Sequence, residues 1–310
     1  VSAPKQRNYS RRDAGGNVWL GRPASEADAA TASARPVAYE VLPTEEAVGA
    51  AQWEEIRRAA AEKEGDLTII LLGGRGAQAM YKQVAEIART NVADELLARL
   101  HVFTQDALAP MRMDNGLSFV RDFERLLGEA FFGKVKSFTP MRTDADDLEG
   151  GVERYLERLD SLGGIDIFFL GLGPEAGAAS HLAYIKPGSG AGAGDLAGVI
   201  PISSSILEHH INKFKVGGSS VTPEDEAECR AATHILTLGP AAILESRRIV
   251  QSIVDASTAP AKRESYRRVL DTEISEDPSE GARQLDENPG LWLRLHPNVR
   301  SLILPDVLEA

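Results

Sequence analysis

Ile165-Asp166-Ile167-Phe168-Phe169-Leu170 runs directly into Gly171-Leu172-Gly173-Pro174-Glu175, and His181-Leu182-Ala183-Tyr184-Ile185-Lys186-Pro187-Gly188 follows closely. The apolar run reads as a strand buried on both faces, and a strand ending in Gly-x-Gly leaves its backbone open to close approach by a ligand. In an open α/β sheet, ligands bind at the carboxyl ends of the strands. A histidine just beyond such a turn is well placed to move protons near neutral pH. The same residues also fit a plain tight turn with a structural histidine, so the rest of the chain has to decide.

Outward from this stretch the chain alternates helical and extended patterns. Residues 45–62 form an amphipathic, Ala-rich pattern with Thr44 as N-cap and Glu45 and Glu46 in the first turn. Residues 67–72 (LTIILL) are continuously apolar and end at Gly73-Gly74. Helices are expected at 77–89, 93–100, 118–132 and 148–162. Further strands are expected at 100–103, leading to Gln105-Asp106, and at 199–202, 234–238 and 301–304. Strands separated by helices of this length require crossover connections and predict an α/β fold with a mostly parallel sheet. No internal repeat is present, and the small-residue stretch 188–194 (GSGAGAG) reads as a mobile loop able to cover or widen a site.

Composition narrows the class. The 310 residues are 43% hydrophobic, 26% charged and 6% aromatic, which describes a globular protein with an aliphatic core. A net charge of -12 argues against a nucleic-acid partner, although a local cationic pocket can still hold a small anion. The single cysteine, Cys229, makes no internal disulfide and points to a reducing, cytoplasmic setting. No apolar run approaches the roughly 18 residues of a membrane span. Residues 1–36 differ from the rest: Lys5, Arg7, Arg11, Arg12, Arg22 and Arg35 outnumber Asp13, Glu26 and Asp28 in an Ala/Ser-rich background. They are expected to form a disordered or clamping extension to a domain at 37–310, or an organelle-targeting remnant. Trp19 and Leu20 are its candidate anchors on a neighbouring subunit, within a homo-oligomer or a larger assembly.

The order of motifs resembles the glucosamine-6-phosphate deaminase/isomerase and 6-phosphogluconolactonase family from residue 37 to the end. The resemblance is carried by Leu71-Leu72-Gly73-Gly74-Arg75-Gly76 before Met80-Tyr81-Lys82, by Phe103-Thr104-Gln105-Asp106, and by Ser118-Phe119 and Phe131-Phe132-Gly133-Lys134-Val135. It continues through Gly171 to Glu175 and His181 to Tyr184 with Pro187 and Gly188, then Leu236-Thr237-Leu238-Gly239, Ala261-Lys262 and Leu293-Arg294-Leu295-His296-Pro297-Asn298-Val299. It implies a Rossmann-like open sheet with helices on both faces, no cofactor, and a small anionic sugar phosphate as substrate.

The resemblance also implies roles. Asp106 matches the aspartate that removes the C2 proton of the opened sugar; the plainer reading of Asp106 is a cap for the segment after it. The family's next block, Gly-x-Gly-x-Asp-Gly-His, fits in two registers. Matching from the left puts Glu175 at the aspartate and Gly177 at the histidine; matching from the right puts His181 at the ring-opening histidine and Ala179 at the aspartate. In the second register Lys186 stands where deaminases hold a glutamate, and a lysine there would depress the histidine pKa. Gly171 and Gly173 would approach the substrate. At the phosphate turn, Gly73, Gly74, Arg75 and Gly76 lack the family's Ser/Thr hydroxyls, leaving backbone N–H groups at a helix start and Arg75 as an alternative anion contact. Lys262 matches a phosphate-contacting lysine. The family arginine expected near residues 196–201 has no counterpart.

Other residues carry less. His209 and His210 are adjacent and so do not share a helix face, which makes a metal site there improbable. His296-Pro297 reads as a lead-in to a strand. Gly-x-Ser-x-Gly, Walker and cysteine-rich metal patterns are all missing. Three readings therefore stand: an isomerase/deaminase-like enzyme using Asp106 and His181, a lactonase-like hydrolase favoured by Gly173-Pro174-Glu175, and a non-catalytic family member with a sensing or assembly role.

Overall fold

The run Leu67-Thr68-Ile69-Ile70-Leu71 is buried at every residue, and so are the runs at 100–104 and 167–170. Strands this apolar on both faces need helices above and below, and the computed structural model, which describes residues 9–22, 34–174 and 180–309, supplies them. Among the described residues the strands are, in chain order, β1 (Tyr9–Arg12), β2 (Val18–Gly21), β3 (Ala38–Val41), β4 (Leu67–Leu71), β5 (Leu100–Thr104), β6 (Asp106–Ala109), β7 (Ser137–Thr139), β8 (Ile167–Leu170), β9 (Gly173–Pro174), β10 (Ser180–His181), β11 (Asp195–Pro201), β12 (His234–Leu238), β13 (Arg248–Ile253) and β14 (Val299–Ile303).

Seven of them form one sheet in the order β3-β14-β13-β8-β4-β5-β7, and every neighbouring pair is parallel. From β4 the chain moves outward through β5 to β7, then returns to the other side of β4 with β8 and proceeds to β13 and β14. The order therefore reverses between β4 and β8, and the crevice beyond their carboxyl ends is the place where such sheets bind ligands. The expected α/β class with a Rossmann-like, mostly parallel sheet is the architecture of the main sheet.

Local signals set the helices. Thr44 Oγ1 accepts from the Ala47 N–H at 3.2 Å to start helix Glu45–Glu62, as expected. Ser118 Oγ caps Phe119–Phe132 by accepting from Arg121 N–H at 3.2 Å, and Asp147 caps Leu148–Ser161 through Gly150 N–H at 2.9 Å. No helix among the described residues is long and apolar enough to cross a membrane. Buried His296 donates from Nε2 to Ser246 O at 2.8 Å and accepts Asn298 N–H on Nδ1 at 3.0 Å, so it shapes the lead-in to β14.

A second, antiparallel sheet was not foreseen. It runs β1-β2-β11-β12-β6, and the expected strand at 199–202 belongs to it as part of β11. Only Gln105 separates β5 in one sheet from β6 in the other; its carbonyl accepts Leu238 N–H at 2.9 Å. Asp106 thus opens β6 where the two sheets meet, opposite Thr237. Strand β13 also escaped the sequence reading, because Gln251 and Ser252 interrupt its apolar run, although both are buried.

The basic N-terminal stretch needs two corrections. Trp19 and Leu20 are buried in their own chain rather than offered to a neighbouring subunit, because β2 pairs with β11. Trp19 donates its indole N–H to Ser189 O at 2.9 Å, Arg11 bonds Gly190 O and the Asp195 carboxylate, and Gly190 N–H reaches Asp286 Oδ1 at 2.7 Å. The glycine-rich stretch 188–194, expected to be mobile, is therefore tied down at both Ser189 and Gly190. Cys229 is buried, and burial pushes its thiol up to about 12, so it is unreactive.

Candidate active site

The crevice between β4 and β8 is lined by Gly73, Gly74, Arg75 and Gly76 after β4, Gln105 and Asp106 after β5, Gly171 and Gly173 after β8, then His181, and by Asp255 after β13 with Lys262. Most residues expected at a site are therefore brought to one place. Lys186 is not among the described lining residues; after it the chain turns at Pro187-Gly188, where Gly188 N–H bonds Asp286 O at 3.0 Å. Glu175 lies outside the described residues.

The turn after β4 is held from below. Gly76 O accepts from Ser252 Oγ at 2.7 Å and from Gln52 Nε2 at 3.2 Å, and Gln52 Nε2 also reaches Ser252 Oγ at 3.1 Å. Two buried side chains thus fix one peptide plane. The 3-10 turn Arg75–Ala77 leads into helix Gln78–Ala88, and the first N–H groups of a helix have no partner within it. The turn's open side is covered closely: a Cβ at Gly73 would lie 2.1 Å from the Phe119 ring.

On the opposite wall, β9 and β10 pair antiparallel with His181 facing Gly173. The imidazole lies so close that a Cβ at position 173 would come within 1.8 Å of His181 Nε2. Gly173 is thus required by the histidine, and His181 lines the crevice. Beyond it, Leu182 and Ile185 bond each other's backbone around Ala183 and Tyr184, which both adopt positive φ (48° and 56°). Non-glycine residues in that region cost about 1–2 kcal/mol each. The strained turn sets the Tyr184 ring 5.0 Å from that of His181, and Tyr184 OH donates to His210 Nδ1 at 2.9 Å. His210 Nε2–H donates to Leu117 O at 2.7 Å, which makes His210 a buried neutral strut; burial lowers its pKa to about 3.

Helix Ser204–Val216 contributes two groups that the sequence reading missed. His209 and Lys213, four residues apart, share the helix strip that faces the crevice. That spacing was the available signal. Lys213 Nζ lies 5.1 Å from the Phe119 ring centre and 5.7 Å from those of Tyr184 and Phe214, and 3.3 Å from where a Gly74 Cβ would be.

Electrostatics follow from this packing. Burial raises the Asp106 pKa, and the charge of Lys213 partly opposes it. Burial lowers that of Lys213, with Asp106 opposing. His181 is held well below its usual value, first by burial and then by repulsion from His209, Lys213 and Lys262; His209 is lowered to about 4, again chiefly by burial. Three polar atoms in the crevice, Asp106 Oδ1, His181 Nδ1 and Gln105 Oε1, are buried without a hydrogen-bond partner among the described residues. The other two cations are engaged: Arg75 with Glu45 at 2.6 Å, and Lys262 Nζ with both oxygens of Asp255 at 2.7 Å. Among the described residues no cluster of His, Cys, Asp and Glu is arranged to hold a metal ion.

Residues 44–205 match the model of the family described as glucosamine-6-phosphate isomerases/6-phosphogluconolactonase. Glucosamine-6-phosphate deaminase 1 of Bacillus subtilis is 25% identical over 248 residues, covering 78% of this chain and 86% of that protein. The deaminase of Staphylococcus epidermidis strain RP62A is 23% identical over 229 residues, covering 73% and 80%. In fold, the chain is similar to a monomeric glucosamine-6-phosphate deaminase (TM-score 0.65, 22% identity, 87% of this chain and 98% of that one). It is also similar to 6-phosphogluconolactonase from Trypanosoma cruzi (TM-score 0.63, 14% identity, 89% and 97%). With the crevice at the β4/β8 reversal and more than half of its residues matched by the family model, the chain belongs to the glucosamine-6-phosphate isomerase/6-phosphogluconolactonase family.

Proposed function

We propose that this chain is an enzyme of the deaminase/isomerase type, moving a proton next to the carbonyl of an opened hexose or hexosamine phosphate. The observation that carries the reading is the Asp106 carboxylate, buried at the junction of the two sheets with Oδ1 unpartnered among the described residues, in the same crevice as a neutral histidine. A desolvated carboxylate is a stronger base than one in water. Asp106 would take the proton from C2 of the open-chain aldehyde and return one to C1, converting aldose to ketose. In an amino sugar the product is an imine at C2, which water hydrolyses to the ketone with loss of ammonia. His181, neutral at pH 7, would carry the proton between the C1 hydroxyl and the ring oxygen during opening.

A lactonase reading is favoured by one observation: His181 Nδ1 has no partner among the described residues, and an unengaged neutral imidazole can activate water toward a lactone carbonyl. One experiment separates the readings. Exchange of the C2 proton of glucosamine 6-phosphate and glucose 6-phosphate with deuterated water is followed by NMR, beside hydrolysis of 6-phosphogluconolactone. Exchange that falls about 10²- to 10⁴-fold in Asp106→Asn supports the deaminase/isomerase reading. Lactone hydrolysis lost in His181→Ala but kept in Asp106→Asn replaces it with the lactonase. Neither reaction in the folded wild type leaves the non-catalytic reading.

A further inference from the structure

The three cations around the turn at residues 73–76 are not equivalent. Arg75 is committed to Glu45, and Lys262 lies within 2.7 Å of both oxygens of Asp255, so both are already neutralised locally. Lys213 makes no hydrogen bond or ion pair with a carboxylate among the described residues, although the charge of Asp106 in the same crevice acts on it; its ammonium lies against the faces of Phe119, Tyr184 and Phe214 and beside Gly74. An ammonium has three donors, and ring faces occupy none of them as a carboxylate would. Its half-buried position removes water that would otherwise solvate it.

Helix Ser204–Val216 explains how this cation reaches the crevice. Ser203 caps it by accepting Ile206 N–H at 3.3 Å, and Ile206, His210, Ile211 and Phe214 bury one face against the core. Lys213 occupies the strip beside that face, so the packing of Phe214 and His210 sets its direction.

We propose that Lys213, rather than Lys262, is the cation with which this crevice recognises the anionic group of its ligand. The ammonium and the backbone N–H groups at residues 74–76 grip one phosphate-type anion between them, while Lys262 stays with Asp255 and shapes the wall. This assignment rests on reading the crevice as a sugar-phosphate site, yet it concerns anion binding alone and is tested without turnover.

The probe is inorganic phosphate, titrated into the full chain by calorimetry, with wild type, Lys213→Met, Lys213→Arg and Lys262→Met compared after circular dichroism confirms folding. Lys213→Met is expected to weaken phosphate binding about 10- to 100-fold, the value of a charge-assisted contact, while Lys213→Arg and Lys262→Met stay within about threefold of wild type. A second measurement needs no variant: phosphate should slow acylation of the Lys213 amine by acetic anhydride, read by peptide mass spectrometry, more than that of Lys262. Unchanged binding in Lys213→Met, a larger loss in Lys262→Met, equal protection of the two amines, or no phosphate binding by wild type at tens of millimolar would overturn the assignment. A chain that binds phosphate through Lys213 but turns over no sugar would refute the proposed reaction and leave this inference standing.

Discussion

The two walls of the crevice are held in opposite ways. The turn after β4 is anchored to the core: Ser252 and Gln52 both donate to Gly76 O, and the main parallel sheet lies directly beneath. The wall after β8 is carried on a two-residue antiparallel pairing and a strained turn, and the imidazole it presents has Nδ1 unpartnered. In the proposed reaction the first wall would hold an anion whose position does not change, and the second would carry backbone strain beside the group that moves protons, the kind of place where strain serves function. Asp106 stands between them, fixed by the meeting of the two sheets.

The largest test of this contrast is Gly173→Ala. The new methyl would sit 1.8 Å from His181 Nε2 and against two further ring atoms, so the imidazole must leave its place. We expect kcat/KM for the C2-exchange reaction to fall about 100-fold or more, with phosphate binding unchanged. Gly171→Ala is the control, because its Cβ meets only the end of Leu72 at 3.1 Å. If both variants keep full activity, the histidine wall has no role in the reaction.

Ser252→Ala probes the anchored wall. It removes one donor from Gly76 O and one contact from Gln52, all within the buried network. A loss of about 1–3 kcal/mol in denaturant unfolding is expected, with weaker phosphate binding and little change in the pH dependence of turnover. Ser252→Thr, which keeps the hydroxyl, should recover the phosphate affinity. A Ser252→Ala protein with wild-type stability would show that the turn does not depend on this network.

Ala183→Gly is the smallest expected effect and has the opposite sign. Glycine accepts φ 48° without penalty, so relief of strain should offset the entropy gained by the unfolded chain. Stability should rise by up to about 1 kcal/mol while turnover drops severalfold, because Tyr184 and His181 lose their fixed relation. A drop in both stability and activity would mean that the Ala183 methyl packing outweighs the strain.

Much of the parallel sheet was legible. Residues 67–72, 100–103 and 165–170 are apolar but for Thr68, His101 and Asp166, a density that strands covered on both faces carry, and the Gly73-Gly74 and Gly171-Leu172-Gly173 turns follow the first and the last of them. Strand β13 was not, because Gln251 and Ser252 look solvent-facing until their hydrogen bonds, Ser301 Oγ to Gln251 Oε1 at 2.8 Å and Ser252 to Gly76, are seen to bury them. Trp19 was misread for a related reason. A basic, Ala/Ser-rich stretch carries no sign that one of its strands will complete a sheet formed by residues some 180 positions away.

By itself, the sequence determined the strand runs, the glycine turns, the helix caps and the presence of Asp106 and His181, because each depends on residues close in the chain. Tertiary structure alone decided that His181, His209 and Lys213 line one crevice. It also decided that Lys262 pairs with Asp255 while Lys213 makes no carboxylate pair among the described residues. Those outcomes depend on which buried charges and ring faces meet across elements far apart in sequence, and local pattern does not carry that information.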